Sequence, residues 1–376
     1  MRKRSFCIAA AIAAAAAAIP AAAQAPFVRT KLVSPTGASP QANGALLRSA
    51  IDNLSPAPSA SNRWLVKIEP GIYDMNDASN FFVMRPYVDV EGSGVLQTFI
   101  RGYASEHNSA LTGGGNDVGV VIGASSAEIR ELTIECLGGV HCTGMTTAGS
   151  SPRISSLRIL VTAPEGDDGY LYGLYNEGGA PALNNVEIRV DGIGNKYGIG
   201  NASAGALVIS SVRNSQIVVS GQGLNVGIEN DGNAKSNPIS GASITASGGL
   251  RSIAVHHTGS GSAGLYYVED SVLSAGSASV ENVGILQESS SSDTTVRPIV
   301  RGSKVVGGAY GIKVNAANTV LVANSQVVST TTAVSGGTVR VGATWIQGGG
   351  TIVGTTAESC TGVWNDAFTD FGATCP

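Results

Sequence analysis

Charge is scarce in this chain: 13% of its 376 residues are Asp, Glu, Lys or Arg, about half the roughly 25% of an average globular domain. Aromatic residues are scarcer still, at 5%. With 23 basic against 27 acidic residues and a formal net charge of −4, a clustered basic surface for phosphate backbones is not expected, and neither is a nucleic-acid partner. Disorder is not expected either, because it needs low hydrophobicity and high net charge together. The 50 glycines disfavour long helices, since each costs about 1 kcal/mol inside one. Past the first residues, no apolar run is long enough to span a membrane. A β-rich, turn-rich chain is left.

At the start of the chain, Arg2, Lys3 and Arg4 precede an apolar stretch from Phe6 to Ile19, then Pro20 and an alanine run. This is the three-part pattern of a secretory signal peptide, 1–23, with cleavage placed after Ala23. The stretch is shorter than the roughly 20 residues of a membrane anchor. Removing the leader takes the 23 basic residues to 20, against 27 acidic, a net charge of −7. A secreted or periplasmic address follows. Cys7 leaves with the leader, and Cys136, Cys142, Cys360 and Cys375 remain. Their close pairwise spacing suggests two local disulfide loops; four free thiols are the alternative, and His141 is the only other ligand type near enough for a zinc site.

One five-residue pattern recurs: Tyr172-Gly-Leu-Tyr-Asn, Tyr197-Gly-Ile-Gly-Asn, Val226-Gly-Ile-Glu-Asn, Ile253-Ala-Val-His-His, Val283-Gly-Ile-Leu-Gln and Tyr310-Gly-Ile-Lys-Val. Its third position, Leu174, Ile199, Ile228, Val255, Ile285 and Ile312, followed by Val334, repeats every 22 to 30 residues. A second column, Ile134, Ile159, Ile188, Ile217, Ile244, Val272, Val305 and Val327, keeps the same period. Short strands split by Gly, Ser, Asn and Asp turns, with no helix between them, predict one solenoid coil per repeat. About ten coils at about 4.8 Å each make a rod on the order of 50 Å long. The fold class is all-β, a single-stranded parallel β-helix over 61–353, with an N-terminal segment and cap helix in 24–60 and a C-terminal cap in 354–376.

Strict alternation along each strand places Tyr172, Tyr197, Val226, Ile253, Val283 and Tyr310 inside, and Gly173, Gly198, Gly227, Ala254, Gly284 and Gly311 outside as a shallow trough. It places Tyr175, Gly200, Glu229, His256, Leu286 and Lys313 outside. Asn176, Asn201, Asn230, His257 and Gln287 then fall at a bend, pointing in and bonding one another.

An amphipathic helix over 43–54, from Asn43 to the stop at Pro56, is followed by Lys67-Ile-Glu-Pro-Gly-Ile-Tyr73, Val88-Asp-Val-Glu-Gly-Ser-Gly94 and Thr98-Phe-Ile-Arg-Gly102. With the repeats, these segments resemble the right-handed parallel β-helix proteins of the pectin lyase-like superfamily, over about 40–350. The resemblance implies a fold and leaves the chemistry open. At the far end, Trp364, Phe368 and Phe371, with a Cys360–Cys375 loop, are expected to close the last coil.

Enzymes of that superfamily carry their chemistry on outward side chains, and their motifs are missing here. Asp167-Asp168 precedes any Asn-x-Asp, His256-His257 is followed by Thr258, and no Arg-x-Lys comes later. Trp64, Trp345 and Trp364 have no Asp-His after them, and the methylesterase Gln-Asp-Thr-Leu segment is absent. The best local constellation for catalysis is Glu229, Asp231 and His256, where a carboxylate one coil away orients an imidazole. A surface ion pair is the plainer account. Glu165, Asp167 and Asp168 suit calcium, a hard cation, although Asp-Asp-Gly is also ordinary turn chemistry; no other cofactor is expected. Tyr175 and Lys313 are candidate substrate contacts. The sequence thus points to a non-catalytic glycan-binding or structural surface at the envelope or outside the cell, with a lyase or hydrolase acting on an acidic polysaccharide such as pectin as the alternative.

Overall fold

The computed structural model describes residues 29–75, 81–103, 119–138, 141–147, 149–163, 169–202, 211–231, 238–258, 266–288, 298–316, 318–367, 369 and 375. The leader with Cys7, and Glu165, Asp167, Asp168, Phe368 and Phe371, lie outside them. Strands pair in parallel with their counterparts in the coils before and after: Ile188 sits between Ile159 and Ile217, and Ile217 between Ile188 and Ile244. Coil climbs on coil through the whole described chain. The result is a right-handed parallel β-helix, the sense that twisted strands impose on parallel crossovers. Among the described residues, no helix is long and apolar enough to cross a membrane.

The core is built from the two aliphatic columns. Leu174, Ile199, Ile228, Val255, Ile285 and Ile312 stack in register on one wall, and Ile159, Ile188, Ile217 and Ile244 on another, all buried. Each such side chain stabilises the fold by about 1.5–3 kcal/mol relative to exposure. One position differs from the sequence expectation. Leu273, not Val272, pairs with Ile244 and Val305, while Val272 is 45% exposed. A one-residue slip exchanges the faces of a strand. The register is set by a turn residue with positive φ three places before each column residue: Asn214 before Ile217, Asp270 before Leu273, Asn324 before Val327.

The glycine column is also placed differently. A Cβ on Gly173 would lie 2.2 Å from Cγ2 of Ile188, and one on Gly198 or Gly227 2.3 Å from Cγ2 of Ile217 or Ile244. These glycines face inward, where the walls approach too closely for any side chain. Alternation breaks there because the strand bends: Tyr172 pairs with Tyr197 and Leu174 with Ile199, and the intervening glycines are skipped. The preceding residues therefore point away from the coil interior, although Val226, Ile253, Val283 and Tyr197 are buried there. No outward trough of small residues exists; Tyr172 and Tyr197 flank the Tyr175–Glu229 column on the outer face. Further along that face Ile253, Val283 and Leu286 form an apolar cluster separate from the main core, with Leu224 and Tyr310 against it.

Polar ladders finish two inner corners. Asn176 Nδ2 donates to Asn201 Oδ1 (3.1 Å) and Asn201 Nδ2 to Asn230 Oδ1 (3.0 Å), as the pattern implied. A second ladder, unforeseen, follows the positive-φ residues: Ser215, Ser271, Ser303 and Ser325 each donate to the carbonyl two residues back. The helix spans Pro40–Asp52, with Ser39 as N-cap accepting from the Ala42 amide. Asn43 is not the cap but a buried helical residue, accepting from the Thr36 amide and donating to Ile72 O. Gly44 lies so close to the Gly71–Asp74 strand that a Cβ would be 1.9 Å from Asp74 O. Cys136–Cys142 and Cys360–Cys375 are disulfides. In the tail Val363, not Trp364, is the buried residue; Trp364 is 38% exposed and pairs its backbone with Trp345.

Candidate functional site

Three consecutive coils contribute to one outward region. Tyr170, Tyr172 and Tyr175 come from the strand Tyr170–Glu177, Tyr197 and Gly200 from Asn195–Ala202, and Glu229 from Leu224–Asn230, with Asp231 just beyond it. Register sets Tyr175, Gly200, Glu229 and His256 one above another. Gly200 supplies no side chain, and the Tyr172 ring packs over it: a Cβ there would lie 2.6 Å from the Tyr172 ring and 3.5 Å from that of Tyr175. The notch is an open cavity of about 220 Å³ lined by Tyr170, Tyr172, Tyr175, Tyr197, Gly200, Asn201, Ala202, Glu229 and Asp231. Tyr172 and Tyr197 stack with centroids 4.9 Å apart, Tyr175 meets Tyr172 edge-on at 5.0 Å, and Tyr170 lies parallel to both stacked rings at 6.4 and 6.3 Å. Burial, with the charge of Glu229 nearby, pushes the Tyr197 hydroxyl well above the usual tyrosine range, so it stays a neutral hydrogen-bonding group.

Beside the notch, the expected neighbours Glu229 and His256 meet. His256 Nδ1 lies 2.8 Å from Glu229 Oε2, and Nε2 lies 3.1 Å from Glu288 Oε2. The ring is 4% exposed. Burial opposes its charge, but hydrogen bonding and attraction to Glu229 and Glu288 outweigh it, and the pKa is raised. Both ring nitrogens are thus engaged by carboxylate oxygens, so a substrate proton could reach the imidazole only by displacing one of these contacts. Thr258 Oγ1 donates to Glu229 Oε1 and Asp231 Oδ1, each at 3.3 Å, joining Asp231 to the group.

Lys313 does not reach this group. Its ammonium lies 3.2 Å from Glu281 and 4.6 Å from the ring centre of Tyr310, with Leu286 between it and His256 in the column. Arg251 holds Glu281 at 2.7 Å and Glu288 at 3.4 Å, so a chain of paired charges runs along the face. Sequence reasoning missed Glu288, Tyr170, Tyr172 and Tyr197. A signal for the tyrosines was present: four of the chain's ten fall between 170 and 197. No cluster of three or more His, Cys, Asp or Glu that would hold a metal occurs among the described residues.

No protein-family model matches the chain, and neither does any curated protein sequence. Solved structures similar to this chain include Geobacillus virus E2 ORF18, at 11% identity and TM-score 0.40, covering 89% of this chain and 60% of that one. The catalytic unit of a thermostable GH87 α-1,3-glucanase from Streptomyces thermodiastaticus strain HF3-3 matches at 11% identity and TM-score 0.40, over 87% of this chain and 66% of that one. A pectin methylesterase solved in complex with a hexasaccharide matches at 9% identity and TM-score 0.34, over 75% and 80%. The chain thus spans about three fifths of the viral protein's length. At these identities the likeness concerns the fold, and no residue role is transferred.

Proposed function

We propose that the outer face around Tyr175 is a glycan-binding surface of a secreted protein, and that the protein is not a hydrolase or lyase. The observation that carries this reading is the notch beside Gly200, lined by four tyrosines, with room for about one sugar ring and open to solvent. Tyrosine suits such a role because its ring offers apolar area and its hydroxyl a hydrogen bond. The two disulfides support an oxidising compartment, consistent with the basic-then-apolar start of the sequence. Tyr175 belongs to this surface with its neighbouring tyrosines, and Lys313, engaged by Glu281, stands further along the same face as a second candidate contact.

Affinity electrophoresis through gels containing neutral, acidic and amino polysaccharides tests the proposal. One class retards the protein, and Tyr172→Ala and Tyr175→Ala each weaken retention about tenfold, the size of a lost ring contact. The second reading, general-base catalysis by His256 with Glu229 and Asp231, is favoured by the 2.8 Å contact. It gains support over binding if sugar ends are released from any polysaccharide and His256→Gln abolishes the release.

A further inference from the structure

Resting on that glycan-binding reading, we infer that the notch selects a positively charged sugar, a pyranose bearing a free amine, over neutral or acidic ones. Four tyrosines and two acidic residues, Glu229 and Asp231, line the notch; among the described residues, no lysine, arginine or histidine lines the cavity. Aromatic faces and edges backed by carboxylates form the chemistry that attracts an ammonium, because the ring quadrupole is negative over its face. The cations nearby are turned to other partners. His256 is shared by Glu229 Oε2 and Glu288, which leaves Glu229 Oε1 with Thr258, while Arg251 and Lys313 are held by Glu281.

Register separates the aromatic end of the notch from the acidic one. Tyr175 and Glu229 are two register steps apart with Gly200 between them, about 9.6 Å along the rod. A pyranose resting on Tyr172 and Tyr175 can direct a ring substituent toward Glu229 and Asp231. A uronate in the same place would bring its carboxylate to theirs, and like charges there repel. An N-acetylated sugar keeps the stacking and loses the charge.

Titration calorimetry of the whole protein with three tetrasaccharides decides the matter: a glucosamine tetramer, its fully N-acetylated form, and a galacturonic acid tetramer. The expected order is glucosamine tightest, by about tenfold over the acetylated form, with galacturonate weakest. Asp231→Asn and raised salt each remove most of the glucosamine advantage, and Tyr175→Ala weakens all binding. If the acetylated form binds as well as glucosamine and Tyr175→Ala still abolishes binding, the charge preference is overturned while the glycan surface stands. If galacturonate binds best, the preference is reversed and overturned. If none of the three binds, and no polysaccharide retards the protein, both readings fail together.

Discussion

Among single residues, His256 shows how far a neighbourhood can set a charge. Its folded pKa is raised by Glu229 and Glu288 against the pull of burial, so the stability it contributes is fully present below the unfolded value of about 6.5 and is lost as pH rises through the folded value. Two other groups act in the opposite sense. His257 is lowered to about 4 by burial and by His256, so its own effect falls between about 4 and 6.5, where rising pH stabilises. Lys196, buried and donating to the Gly194 and Gln222 carbonyls, is lowered by burial to about 8, despite Asp191. Its effect, again stabilising with rising pH, begins near 8. The window for His256 alone is therefore about pH 6.5 to 8. His256→Gln is expected to lower stability by about 2 kcal/mol near pH 6.5, the worth of hydrogen bonds to charged groups, and by less as pH increases. Urea melts of both proteins across this window would show a constant difference if the imidazole is not charged in the fold.

At the level of coils, the repeat exposed the columns but not which way each one faces. The aliphatic third position and the asparagine corner were legible because burial and amide pairing impose the same residue in coil after coil. Tyr172 and Gly173 were placed on the wrong faces because alternation by two holds for a straight strand, and this strand bends between Gly173 and Leu174. The notch was illegible for the same reason, since it exists only when Tyr172 and Tyr197 face out beside Gly200. Glu288 stands in the column Asp231, Thr258, Glu288 and Asn315, one step past the bend, but that column changes residue type from coil to coil, so nothing periodic marked it. The asparagine corner makes the clearest prediction for an element. Asn201 accepts from Asn176 and donates to Asn230, and Asn201→Leu would leave both neighbours facing an apolar side chain. A loss of about 2–6 kcal/mol is expected, from one hydrogen bond lost at each of two buried amides at about 1–3 kcal/mol each. Chemical denaturation reads it, and a loss under about 0.5 kcal/mol would mean the ladder adds little beyond filling space.

For the rod as a whole, the ends decide whether coils stop stacking. The last long strand, Thr351–Thr361, pairs on one side with Thr332–Gly342, and a parallel edge of that length is a template for another chain. The core column Val320, Val339 continues into this strand as Glu358. Instead of adding a further aliphatic layer, Glu358 lies exposed and accepts from the Gly354 amide at 3.2 Å. An acid at an inward column position is one of the devices that blunt an edge, because a docking strand would have to bury its charge. The Cys360–Cys375 bridge and Val363 secure the chain just beyond. Glu358→Val restores the aliphatic column at the end of the rod, so the variant should associate end to end at concentrations where the parent does not. Light scattering coupled to size exclusion measures this directly. A Glu358→Gln variant, which keeps the amide contact and removes the charge, should fall between the two; if Glu358→Val elutes as the parent does at every concentration, the tail and not the acid protects the edge.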